Sequence, residues 1–141
     1  PNSVGFGSRL GRSAMSQFLF LDIGQLESQL QLDGGLLLVH FGSPLVSSCG
    51  FTQRSLALIA PEFSGQMQFC TIDVPLQEVQ NLRQYSIRVV PTLVLFDGER
   101  EVERLDRILL PAELRLFLRD VVGYYGVPLP APRNEDPGLS S

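Results

Sequence analysis

"VVPTLVLFDGEREVERL", residues 89–105, reads as two β runs joined by Asp97-Gly98, because a tight turn between strands needs a residue at ease with positive φ. The pair commits this part of the chain to an antiparallel hairpin. Upstream, the pattern is different. "QFLFLD" (17–22) and "MQFCTIDV" (67–74) read as strands, and "LLLVHF" (36–41) is a continuous apolar run of the kind a strand covered on both faces requires. Helical spacing separates them. In "DIGQLESQLQL" (22–32) Ile23, Leu26 and Leu30 share one face, with "DGG" at 33–35 ending the helix. Leu56, Ile59, Ala60 and Phe63 repeat the spacing, as do Val79, Leu82 and Ile87 in "LQEVQNLRQYSI" (76–87). Downstream of the hairpin, "LPAELRLFLRDVVGYYG" (110–126) is a helix with proline at its start and glycine after its end. The order β-α-β-α-β-α-β-β-α predicts an α/β fold with a mixed central sheet and helices on both faces.

The 141 residues, 44% of them hydrophobic and 9% aromatic, suffice for one domain with a real core. A net charge of -4 gives no basic footprint, which disfavours nucleic acid and anionic lipid as partners. Every one of the 11 basic residues is arginine, so Schiff-base and lysine general-base chemistry are excluded. His40 is the sole histidine, and two cysteines, Cys49 and Cys70, form no ligand pattern, so neither a metal nor a cofactor is expected. No apolar stretch is long enough to cross a bilayer, and no signal core opens the chain, so it is read as soluble and cytoplasmic.

Residues 1–14, Gly/Ser/Arg-rich and stopping before Met15, are read as an appended or unstructured leader, and 15–125 as the folded domain. Residues 126–141 carry four prolines among polar residues and are read as an extended, poorly ordered tail.

The element order, together with "LLLVHF" leading through a loop to a cysteine and "YSIRVVPTLVLFDGE" supplying an apolar-Pro-Thr hairpin strand, resembles the thioredoxin family over about residues 17–122. The resemblance implies the thioredoxin fold and a cis peptide bond at Val90-Pro91. Where that family carries Trp-Cys-Gly-Pro-Cys, this chain departs. Aligned on the strand and helix, Cys49 falls on the family's second, buried cysteine and Val46 on its nucleophile, and the chain has no tryptophan. Thiol–disulfide exchange needs one thiolate to attack and a second thiol to resolve the mixed disulfide, so Val46-Ser47-Ser48-Cys49 cannot complete the cycle.

"GSPLVSSCGFT" (42–52) also resembles the loop of monothiol glutaredoxins, which would place Cys49 at the exposed first position, where helix amides favour a thiolate. Those proteins also use an upstream lysine and a Gly-Gly-Asp after the hairpin. Here Phe41 precedes Gly42, and Glu103, Arg104, Leu105 and Asp106 follow the hairpin. The texture of residues 37–72 resembles the thioredoxin-like domains of phosducin-like proteins, which keep the fold, have lost the dithiol and act through protein contacts; their long acidic helical N-terminal arm is absent here.

The resemblance implies a docking surface made by the Gly42–Cys49 loop, with Ser47 and Ser48, and by Val90, Pro91 and Thr92, where an extended peptide can add as a strand. Ser47 and Ser48 read as helix caps rather than nucleophiles, since no Ser-His-Asp set is visible. His40 stands at the place of the family's buried proton-relaying aspartate and is a possible proton partner for Cys49; the plainer reading is a buried histidine satisfied by a backbone carbonyl. Cys70 reads as a small core residue, and the family geometry that the resemblance implies puts it too far from Cys49 for a disulfide. The charged run 97–107 reads as a solubilising edge. The expected function is a protein-binding, chaperone or assembly module with a protein or extended peptide as partner. Its alternative is a monothiol oxidoreductase using Cys49 with glutathione or an external thiol.

Overall fold

The computed structural model describes residues 18–32, 34–75 and 85–126. Five strands form one sheet: β1 (Phe18–Leu21), β2 (Leu36–Gly42), β3 (Gln68–Asp73), β4 (Thr92–Asp97) and β5 (Arg100–Leu105). Their spatial order is β1-β3-β2-β4-β5. β3 runs parallel to both β1 and β2, while β4 is antiparallel to β2 and β5 to β4, so the sheet is mixed. Three α-helices accompany it among the described residues: α1 (Ile23–Leu32), α2 (Ser47–Ile59) and α3 (Pro111–Tyr125).

Period-two alternation assigns each strand residue to a side. Leu36 and Leu38 of β2 pack with Leu56 and Ile59 of α2 and with Leu114 and Leu118 of α3. Leu37, Val39 and Phe41 face the opposite way, onto Leu26 and Leu30 of α1. All seven residues of β2 are buried, as a central strand with helices on both sides must be. Cys70 lies in the α1-side core at 0% exposure.

Helix ends follow local chemistry. Asp22 and Gln25 exchange side-chain-to-backbone hydrogen bonds at 2.8 and 2.9 Å and so box the start of α1. At α3, Glu113 accepts from the Leu110 amide at 2.9 Å; a leucine offers no oxygen in return, so half of such a box is made. The helical spacing that runs through Phe63 does not continue as one α-helix. Pro61 has no N–H to donate, and the chain tightens into a 3₁₀ turn, Ala60–Phe63, which still buries Ala60 and Phe63.

Two local expectations need correction. The hairpin loop is Gly98-Glu99 rather than Asp97-Gly98: Asp97 remains in β4 opposite Arg100, and Gly98 supplies the positive φ of 65°. The helix expected over 76–87 lies, for 76–84, outside the described residues, and it does not reach Ser86, whose φ of 55° is left-handed. The leader and the tail beyond Gly126 also lie outside the described residues. No described helix is long and apolar enough to cross a membrane.

Candidate functional site

The ends of β2 and β3, the start of β4 and the end of β5 meet at one end of the sheet. Register shows it: Gly42 pairs with Asp73, Phe41 with Thr92, and Leu93 with Leu105. Three loops therefore emerge together, 43–46 before α2, 85–91 before β4 and 106–110 before α3. Crevices beyond the carboxyl ends of parallel strands are where open α/β sheets bind ligands.

Val46 is the N-cap of α2, with φ -112° and ψ 117°, and no side chain caps the helix. The capping role expected of Ser47 and Ser48 is thereby corrected: they are the first two helical residues, one and two positions past the cap, Ser47 exposed and Ser48 half-buried. The first turn closes through the Cys49 amide, which donates to the Val46 carbonyl at 3.0 Å. Cys49 points inward and is 3% exposed. Burial raises its thiol pKa above the ordinary value, a hydrogen bond from the Ser43 backbone opposes this, and the Asp73 carboxylate adds to the rise. Cys70 is pushed up to about 12 by burial, and both thiols are free.

His40 is 2% exposed. Its Nδ1 donates to Gln53 Oε1 at 2.9 Å, and the Thr71 hydroxyl donates to the same oxygen. The partner is thus a side-chain amide from α2, not the backbone carbonyl the sequence suggested. With Nδ1–H engaged, Nε2 is an acceptor; it has no donor, and it is the one buried side-chain polar atom without a partner among the described residues. Gly42 explains its surroundings. A Cβ built there would lie 2.8 Å from His40 Nε2 and 3.3 Å from the Cys49 Cβ, so the imidazole and the Cys49 Cβ crowd the space beside the Gly42 Cα and leave no room for a side chain.

Desolvation lowers the His40 pKa; the Gln53 hydrogen bond and Asp73 oppose it less strongly. Above about pH 6.5 His40 is neutral folded and unfolded, and contributes no pH dependence. As pH falls through that value the unfolded chain takes up a proton that the folded chain refuses, so stability declines by up to about 1.4 kcal/mol per pH unit until the lower folded pKa is reached. Urea denaturation between pH 7.5 and 5.5 is expected to show this loss in the wild type and not in His40→Gln. Since the chain has one histidine, the assignment is unambiguous. Equal slopes in the two proteins would contradict it.

The cis-proline loop is held from the side. Val90-Pro91 is cis, Pro91 is buried and Val90 half-buried. Thr92, 1% exposed, donates its hydroxyl to the Val89 carbonyl at 2.7 Å, so its side chain shapes the loop rather than facing solvent. Arg104 of β5 donates to the Tyr85 carbonyl at 2.7 Å, to the Ser86 carbonyl at 3.2 Å and to Glu101 at 2.8 Å. That clamp was invisible in a run read as solubilising charge. A cleft of about 420 Å³ lies beside it, lined among others by Arg88, Val89, Thr92 and Asp106.

Each of the three loops shows large apolar side chains to solvent. Leu45 is 81% exposed, Leu110 61%, Val89 48% and Ile108 46%. None of the four was singled out from the sequence. Exposed apolar residues at loop tips carry no periodicity, so only their convergence marks them. Among the described residues no group of three or more His, Cys, Asp or Glu is placed to hold a metal ion.

Comparison with known proteins accords with this architecture. The thioredoxin family model matches residues 18–119. A mutant thioredoxin from Halobacterium salinarum NRC-1 superposes with a TM-score of 0.63 at 23% identity, covering 80% of this chain and 94% of that one, which shows the thioredoxin fold. No curated protein matches the chain.

Proposed function

From its membership of the thioredoxin family, to which the chain belongs over residues 18–119, we propose that it is a protein-binding module, a chaperone or assembly factor, that has given up dithiol chemistry. One observation carries the reading: at the site of exchange Val46 stands at the helix start, its surroundings expose Leu45 and Val89, and the single thiol, Cys49, is buried beneath. A surface built to attack disulfides needs an accessible thiolate. This one offers apolar side chains instead, which favour the docking of another chain. The sequence texture shared with phosducin-like domains points the same way.

In this reading an extended segment would add as a strand beside Val90 and Pro91, with Ser47 and Ser48 as further contacts for it. His40 then serves as a neutral, buried prop against Gly42 rather than as a base at work. The raised Cys49 pKa supports this, since at neutral pH the thiol stays protonated.

Alkylation of Cys49 as a function of pH, in a Cys70→Ala background, tests the proposal. Slow modification with an apparent pKa above about 8.5 is expected. Fast modification with a pKa well below about 7.5 would replace the binding module with the single-thiol alternative, in which Cys49 exchanges with glutathione or an external thiol.

A further inference from the structure

Charge at the loop end differs from that of the rest of the fold. Four arginines gather there: Arg88, Arg104 and Arg107 in or beside the cleft and its loop, and Arg54, whose guanidinium reaches back to within 3.4 Å of where a Gly50 side chain would begin, over the first turn of α2. They face three carboxylates, Asp73, Glu101 and Asp106. Of these, Glu101 is bound by Arg104 at 2.8 Å, and Asp106 also acts on Arg104. Elsewhere on the described fold carboxylates clearly outnumber arginines, and the chain as a whole is at -4. Among the described residues, the end that exposes Leu45, Val89, Ile108 and Leu110 therefore sets four arginines against three carboxylates, the reverse of the balance elsewhere.

The arrangement is also specific. Arg88 directly precedes Val89 and Arg107 directly precedes Ile108. Both arginines are exposed, and neither makes a hydrogen bond or ion pair among the described residues. Two of the apolar loop tips, Val89 and Ile108, thus have an uncommitted cation beside them, in a protein whose other described arginines include pairs with Asp97, Glu101 and Glu62. We infer that the partner presents an extended segment whose apolar side chains cover Leu45, Val89 and Ile108 and whose flanking carboxylates meet Arg88 and Arg107. The inference rests on the protein-binding reading above and adds the chemistry of the partner. Apolar contact supplies the burial, and the arginines supply direction and discrimination, since carboxylates suit a guanidinium fork and a basic segment would be repelled. Asp73 and Asp106 mark where such a carboxylate would not sit.

The test compares two short fluorescein-labelled peptides with the same leucine- and valine-containing centre, flanked by aspartates in one and by lysines in the other, by fluorescence anisotropy. The aspartate peptide is expected to bind at least about tenfold more tightly, to weaken as salt rises, and to lose that advantage in Arg88→Glu/Arg107→Glu. Both side chains are exposed and unpaired, so the double variant keeps its fold. Equal binding, or preference for the lysine peptide, with Leu45→Asp weakening both, would overturn the charge inference and leave the docking surface intact. Binding of neither peptide would overturn both. A concentration-dependent dimer that Leu45→Asp abolishes would place a second copy of the chain on this surface and likewise overturn the proposal.

Discussion

Val46→Cys is expected to convert a chain with no insulin reduction above background into one with readily measured turnover, at least tenfold over the wild type. The reason is geometric. The Cys49 amide donates to the Val46 carbonyl at 3.0 Å, so residues 46 and 49 bracket one helical turn. Helix geometry puts Cα atoms three residues apart at about 5 Å, inside the range a disulfide spans. A thiol at the N-cap lies beside the free amides of the first turn, which lower its pKa and favour the thiolate. Cys49, protonated at neutral pH by burial, would be the resolving thiol, and the unpaired Nε2 of His40, which shares the Gly42 surroundings with the Cys49 side chain without being hydrogen-bonded to it, is the acceptor toward which its proton would move. Adding His40→Ala to Val46→Cys should therefore slow turnover while leaving formation of the internal disulfide. An inert Val46→Cys protein that nonetheless forms the disulfide would show that position 46 is not what withholds the chemistry, and attention would move to the charged 106–107 loop.

Gly42→Ala is expected to destabilise the fold by about 1–3 kcal/mol, the usual cost of forcing a methyl group into a filled interior. The new Cβ would come within 2.8 Å of His40 Nε2 and 3.0 Å of Cε1, with the Cys49 Cβ at 3.3 Å behind them. The ring cannot turn aside cheaply, because Nδ1 is tied to Gln53 at 2.9 Å and β2 is buried on both faces. Urea denaturation measures the loss. Removing the ring as well, in His40→Ala/Gly42→Ala, should restore part of it, so the two substitutions will not be additive. A loss below about 0.5 kcal/mol in Gly42→Ala would mean that the pocket has slack, and that the glycine is not dictated by its neighbours.

Much of the fold was legible because its signals are local. The apolar run 36–41 had to be covered on both faces, and all of β2 is. Leu26 and Leu30 were read as the buried face of α1 and are. The hairpin announced itself through Gly98, although the turn sits one residue later than read, since two-residue turns that differ by one position share the same Asp-Gly signal. Proline at 61 was the missed cue for the 3₁₀ turn. Ser47 and Ser48 misled because serine is favoured at a helix start, whereas the chain begins the helix one residue earlier, from Val46.

The sequence by itself determined the order of the elements, the resemblance that identified the family, and the absence of a second thiol three residues before Cys49. Each is a property of neighbours along the chain. Tertiary structure alone decided that Cys49 is buried, that His40 leans on Gln53, that Arg104 clamps the carbonyls before the cis proline, and that three loops pool their exposed apolar residues beside uncommitted arginines. These contacts join residues 13 to 19 positions apart or in separate loops. Such distances close only after sheet register and helix packing bring the segments together, and no pattern of period 2 or 3.6 encodes which polar atoms then meet.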